Sequence, residues 1–303
     1  MPKNILRSII HGVTTKALRV ADLPSLLGKL AAAQRYNAAL QLRANYPDIA
    51  AAGACQQPLH RYEAKVYSQH GEDGILLHLF DATGVTDRRF VEFGIEDGLE
   101  CNAANLALNF GWSGLFLECD AEMVRSARRN YAIRLKAHAD RVRIEQAMVT
   151  AENINATLEQ GGMRGEIDLL SVDIDGNDYW VWKAITAIQP RIVAIEYNSS
   201  FGPERSLTVK YDPSFSRYEK HDSGLYYGAS LAALTKLADE KGYLLAGCDS
   251  AGVNAFYVRR DAADGRVREL SVADAFVPQY VRIVEKTLDE QFDVIKGMPL
   301  ETV

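Results

Sequence analysis

The chain has 303 residues, of which 48% are hydrophobic, 24% charged and 9% aromatic, with 22 glycines and 9 prolines. These are ordinary globular values and exclude collagen-like, low-complexity and disordered chains. The 34 lysines and arginines stand against 40 aspartates and glutamates, a net charge of −6, so no nucleic-acid partner is expected, because that calls for a basic excess or stripe.

Residues 1–60 read as a helical N-terminal extension. The first thirteen residues lack the apolar core and small-residue cleavage site of a secretory signal. No apolar run reaches the roughly 18–20 residues of a spanning helix, and a cytoplasmic protein is expected. Ile5, Leu6, Ile9, Ile10 and Val13 follow helical spacing, and Lys3, Arg7, Lys16 and Arg19 precede the first acid, Asp22. Such a basic amphipathic segment is suited to peripheral contact with the inner face of a membrane. An Ala/Leu-rich helix is predicted from Asp22 to Asn45, loosening through Tyr46-Pro47 and Gly53. Cys55, Cys101, Cys119 and Cys248 are scattered, with no C-x-x-C pair and no zinc spacing, as expected of thiols in a reducing compartment.

From residue 88 short apolar runs alternate with helical stretches. RRFVEFG, SGLFLECD, VRIEQAMV, IDLLSVDI and RIVAIEYN read as strands, with amphipathic segments at 121–135 and 179–188 between them. Nearly continuous apolar strands separated by helices indicate a parallel sheet covered on both faces, with ligands at the carboxyl ends of its strands. A helix over 230–241 follows, with Ser230 as N-cap and Gly242 as stop. YLLAGCDS and GVNAFYVRR are then separated only by a tight turn at Ala251-Gly252, which forces an antiparallel hairpin. The expected fold is α/β and Rossmann-like. Its seven-stranded, mostly parallel sheet closed by a C-terminal antiparallel hairpin is the layout of the class I methyltransferases, over residues 61–262. A helical, charged tail occupies 263–303. The extension and the tail are candidate elements of a homodimer or a lid.

The stretch from Phe90 to Gly98 sets an acid, Glu92, on a strand end before a turn marked by Gly94 and Gly98. The nicotinamide fingerprint G-x-G-x-x-G is absent, because Glu96 stands where its second glycine belongs. An acid there repels a pyrophosphate and tolerates a cationic ligand such as S-adenosylmethionine (SAM). Glu118, at the end of the second strand and about 24 residues beyond Gly94, is placed to accept hydrogen bonds from ribose hydroxyls. Met148 or Val149, at the third strand end, offers an apolar surface to adenine.

Four segments together, Ser68-Gln69-His70-Gly71-Glu72-Asp73-Gly74, VEFGIEDGLECN, WSGLFLECD and IDLLSVDIDGNDYWVW, resemble the FkbM-type family of SAM-dependent methyltransferases, in order and spacing from about residue 66 to 260. The resemblance implies O-methylation, commonly of sugars in natural products or of cell-surface glycans. It also implies that Glu92, Gly94 and Glu118 line the SAM site, with Gln69 and Asn102 near the methionine end. The family more often has a glycine-rich turn where this chain has Glu96-Asp97.

A sugar hydroxyl is a weak nucleophile and needs a base or a metal to help remove its proton. Asp173 and Asp175 alternate on the fourth strand end, and Glu196 and Asn198 on the fifth. Adjacent strands lie about 4.8 Å apart, so Asp173, Glu196 and Asn198, with Asp175 as alternate, form a candidate oxygen site for Mg²⁺ or another divalent cation. The other reading of these acids is that they cap the following helices, with Asp173 orienting the SAM amino group. Residues 199–228 form a long loop rich in tyrosine and phenylalanine, whose rings suit sugar faces, while Arg205, Lys210 and Arg217 suit anionic groups. His221, beside Asp222, is the first candidate for general base and His70 the second. A methyltransferase-like binding module without activity and an NAD(P)-dependent oxidoreductase are the alternatives.

Overall fold

The apolar runs become strands because each is long enough to cross a covered sheet and carries branched or aromatic side chains on both faces. The computed structural model describes residues 23–47, 49 and 53–303. The amphipathic segment between Lys3 and Arg19 therefore lies outside the described residues. Helix α1 spans Leu23–Asn45 and α2 spans Glu72–Thr83. They are followed by β1 (Arg89–Phe93), α3 (Ala104–Asn109), β2 (Ser113–Glu118), α4 (Ala121–Leu135) and β3 (Val142–Gln146). Next come α5 (Ile154–Gln160), β4 (Gly165–Val172), α6 (Asp178–Ala184) and β5 (Ile188–Glu196). After β6 (Leu207–Val209), α7 (Leu231–Glu240) leads into the hairpin of β7 (Tyr243–Cys248) and β8 (Asn254–Arg259). The tail carries α8 (Leu288–Ile295), two four-residue helices and β9 (Leu300–Thr302).

The main sheet has the order β3-β2-β1-β4-β5-β8-β7. Its first five strands are parallel, and β8 runs antiparallel to both β5 and β7. This is the expected sheet, hairpin included. Successive residues feed opposite cores: Phe90, Phe116, Leu169 and Ile192 pack on one face, and Val91, Leu115, Leu170 and Val193 on the other.

Local chemistry sets the helix boundaries. The Asp120 carboxylate accepts the N–H groups of Glu122 and Met123 at 2.7 and 3.0 Å and starts α4. Ser230 accepts the Ala233 N–H and starts α7, and Gly242, at φ +82°, follows its end, as the sequence predicts. Loop 199–228 and the tail form a small third cluster around Phe201, Val209, Leu225, Tyr226 and Ile295. There β6 pairs with β9, Leu207 opposite Thr302. The tail read as helical thus also supplies a strand. Cys55, Cys101 and Cys248 are buried, Cys119 is exposed, and none is in a disulfide. Among the described residues no helix is long and apolar enough to cross a membrane.

Candidate active site

The first turn of α2 shapes one wall of the site. Its Asp73 carboxylate accepts the N–H groups of Val66, Tyr67 and Ser68 at 2.7–2.9 Å and the Ser68 hydroxyl at 2.9 Å. Burial pushes Asp73 up to about 6, against the pull of those bonds. The neighbouring Glu72 accepts the His70 N–H at 2.6 Å and the Asn254 side-chain amide at 3.0 Å. Two buried acids thus fold the Ser68–Gly71 segment back on α2 and set Gln69 and His70 into a cleft.

The cleft encloses about 740 Å³ over the carboxyl ends of β1 to β5. At β1, Gly94 has φ +70°, and a Cβ there would lie 1.8 Å from the Asp173 carbonyl oxygen. Only glycine lets the first and fourth strand ends approach this closely. Glu96, at φ +51°, donates its N–H to Glu118 Oε2 at 2.8 Å. Glu118 Oε1 accepts the Asp120 N–H at 2.9 Å. Oε1 also meets the Cys119 thiol at 3.4 Å, and Oε2 keeps acceptor capacity for a further donor. Glu96, Glu118, Met148 and Val149 line this end together.

Three expected cofactor residues sit behind the cleft wall instead. Glu92 is 4% exposed and accepts the N–H groups of Asn102 and Ala103 at 2.7 and 2.8 Å. It braces the start of α3, and burial pushes it up to about 7. Asn102 donates its side-chain amide to Ser171 Oγ at 3.0 Å. Gly98 turns its carbonyl to the Tyr131 hydroxyl at 2.9 Å, tying the β1–α3 turn to α4.

At the other end, carboxylate oxygens of Asp173, Asp175 and Glu196 all lie within 4.8 Å of one another. Burial and then the neighbouring charges of Asp175 and Asp178 hold Asp173 well above the carboxylate range. Burial, reinforced by Asp173, does the same to Glu196. Glu196 Oε2 is buried with no hydrogen-bond partner. A single guanidinium answers this charge. Arg217 bonds Asp175 and lies 3.7 Å over the ring of the buried Tyr227, whose hydroxyl accepts from Arg282 at 3.0 Å.

Asn198 does not join the acids, which corrects the expected ligand set. Its oxygen accepts the Ser200 N–H at 3.0 Å, and its amide donates to the carbonyls of Leu225 and Tyr227 at 2.7 and 2.9 Å. Asp175, the alternate, takes its place. His221 is likewise not among the cleft-lining residues; its Nδ1 is paired with Ser223 Oγ at 2.8 Å. Arg217 is what loop 199–228 sends to the acids, while Arg205 leaves for the tail, pairing with Asp289 and covering the ring of Phe292. His70 does line the cleft, edge-on to Tyr280 with ring centroids 5.7 Å apart. The tail residues Gln279, Tyr280 and Arg282 complete the wall. Sequence reasoning missed them, and the only local signal is a Pro-Gln-Tyr interruption in a charged helical stretch.

A parallel sheet of order β3-β2-β1-β4-β5 closed by β8 and β7, with its cleft over the carboxyl ends, settles the architecture. This is the strand layout expected from the sequence. Similar solved structures include the N-terminal domain of EvdMO1 in the presence of SAH and D-fucose, 18% identical over 61% of this chain and 77% of that one, with a TM-score of 0.37. An O-methyltransferase from Bacillus cereus in complex with SAH is 18% identical over 58% of this chain and 73% of that one, TM-score 0.36. The O-methyltransferase TomG from Streptomyces achromogenes, in complex with SAM, is 17% identical over 56% and 71%, TM-score 0.34. All three are distant likenesses. No family model matches the chain, and no curated protein matches it in sequence.

Proposed function

We propose that the protein is a SAM-dependent O-methyltransferase of the FkbM type that methylates a hydroxyl of a carbohydrate acceptor. One observation carries the reading: a single cleft holds a strand-end acid suited to a ribose, Glu118, and at its other end three convergent carboxylates. Acids at both ends favour a cationic methyl donor and disfavour a dinucleotide pyrophosphate. The reaction forms a bond from the acceptor oxygen to the methyl carbon, breaks the carbon–sulfur bond and releases a proton from the hydroxyl. Asp173 and Glu196 are the candidates for taking that proton, and His70, which lines the same cleft, is the imidazole candidate for relaying it to solvent. Rings of Phe215, Tyr218 and Tyr280 line the acceptor side and suit the apolar face of a sugar.

The same acids fit a hard divalent cation. All the donors are oxygen, three carboxylates face one guanidinium, and Glu196 Oε2 is buried without a partner. Asp173, Asp175 and Glu196 would hold the ion, which supplies Lewis acidity that lowers the pKa of an acceptor hydroxyl.

Calorimetry with S-adenosylhomocysteine (SAH), SAM and NAD tests the donor. Micromolar binding of SAH with none of NAD is expected, and binding of NAD alone would overturn the reading. Methyl transfer to an acceptor panel with labelled SAM, before and after EDTA and metal-free dialysis, tests the ion. Unchanged turnover after dialysis removes the metal from the mechanism and leaves the carboxylates as base.

A further inference from the structure

Helix α1 carries an apolar stripe that none of the other described residues covers. Leu23, Leu26, Leu27 and Leu30 are 50–56% exposed, and their i, i+3, i+4, i+7 spacing puts them on one face. Among the described residues the helix is held to the body near its C-terminal end, where Ala39 and Leu42 are buried and Ala38 and Tyr46 pack against the same core. The described side chains from Ser25 to Asn37 are all exposed.

Charge is segregated along the sequence as well. Residues 1–47 contain seven lysines and arginines (Lys3, Arg7, Lys16, Arg19, Lys29, Arg35 and Arg43) against one acid, Asp22. That part carries +6, so with −6 for the whole chain the remainder carries −12. Within α1 there is no acid at all, and at 100° per residue Lys29 and Arg35 fall on opposite flanks of the leucine stripe.

We propose that α1 docks the protein onto an anionic bilayer surface, with the leucines in the acyl boundary and Lys29 and Arg35 among the phosphates. An apolar stripe flanked by cations on an acid-free helix is the pattern that lies in a membrane interface, and each cation near an anionic leaflet adds to the binding. A second copy fits the same face less well. Four half-exposed leucines fall short of the roughly 800 Å² per partner of a stable interface, and pairing α1 with itself sets like charges together. The body, at −12, is repelled by the leaflet, which turns its acidic surface away and leaves α1 as the side that touches. The proposal is independent of the methyl-transfer reading.

The test uses the full chain and sedimentation with vesicles of phosphatidylcholine alone or with 30% phosphatidylglycerol. Binding to the anionic vesicles should exceed that to neutral ones by roughly tenfold or more and should fall at high salt. The double variant Leu26→Ser/Leu30→Ser should lose roughly tenfold in vesicle binding with an unchanged Tm, because those side chains are largely exposed and belong to none of the described hydrophobic clusters. Equal partition onto both vesicle types, or wild-type binding by the variant, overturns the proposal. So does light scattering that finds a dimer which the variant turns into a monomer, since the stripe then belongs to a second copy. Loss of SAH binding in separate calorimetry would bear on the methyl-transfer reading and leave this one standing.

Discussion

Replacing Gly94 by alanine tests whether the close approach of the first and fourth strand ends shapes the cleft. Two costs add. An L-residue at φ +70° is strained by roughly 1–2 kcal/mol. The new Cβ would also sit 1.8 Å from the Asp173 carbonyl oxygen. That neighbour is backbone, so one of two strand ends must move, and overpacking of this kind costs roughly 1–3 kcal/mol more. Gly162 is the control, because it has φ +80° but a Cβ added there would meet nothing within 4 Å, so Gly162→Ala should show the conformational cost alone. The difference of roughly 1–3 kcal/mol corresponds to about 2–5 °C in Tm for a chain of this size. It is measured by thermal and urea unfolding side by side. Movement at residue 94 also displaces the Glu96 N–H that holds Glu118, so SAH binding should fall by roughly tenfold or more in Gly94→Ala and stay unchanged in Gly162→Ala. Equal Tm for the two variants with wild-type SAH affinity in both would refute the reasoning.

Three further outcomes follow from the same geometry. Glu118→Ala removes a carboxylate with free acceptor capacity and should weaken SAH binding by roughly 10–100-fold in calorimetry, with little effect on any divalent-ion affinity. Glu92 is pushed up to about 7 from 4.5, so its contribution to stability is full below pH 4.5 and is lost as the pH rises through 7. The loss is roughly 3 kcal/mol in urea unfolding between pH 5 and pH 8; Glu92→Gln should lack this component, and an identical pH dependence in both proteins would show that Glu92 is not the group responsible. His221→Ala should keep kcat within about twofold because its ring is tied to Ser223, whereas His70→Ala should lower kcat by roughly 10–100-fold in the methyl-transfer assay, as loss of a proton relay does.

The sheet was legible because each central strand is an apolar run buried on both faces, which leaves sequence few other readings. The hairpin was legible because a turn at Ala251-Gly252 is too short for a crossover. The placement of Glu118, Asp173 and Glu196 at the ends of apolar strands was legible as well, because a solvated acid has no need to be there. Their division of labour was not. Glu92 ends a strand just as Glu118 does, yet it faces the N–H groups of Asn102 and Ala103 and becomes a brace. Asn198 reads equally well as a metal ligand or as a cap, and only the positions of Ser200, Leu225 and Tyr227 decide for the cap. The tail's share of the cleft was hidden for a different reason. Strands of three residues such as β6 and β9 have no periodicity to detect, and their pairing joins segments far apart in the chain.

That pairing sets a timetable for the protein's manufacture. The Glu118 end of the cleft lies on elements complete by Val149, whereas another part of its wall includes Gln279, Tyr280 and Arg282, and β9 arrives about 90 residues after its partner β6. At roughly 5–20 residues per second on the ribosome, β6 waits on the order of 5–18 s for its partner. The half that would hold the methyl donor can therefore form first, and in that interval β6 waits with an edge unpaired.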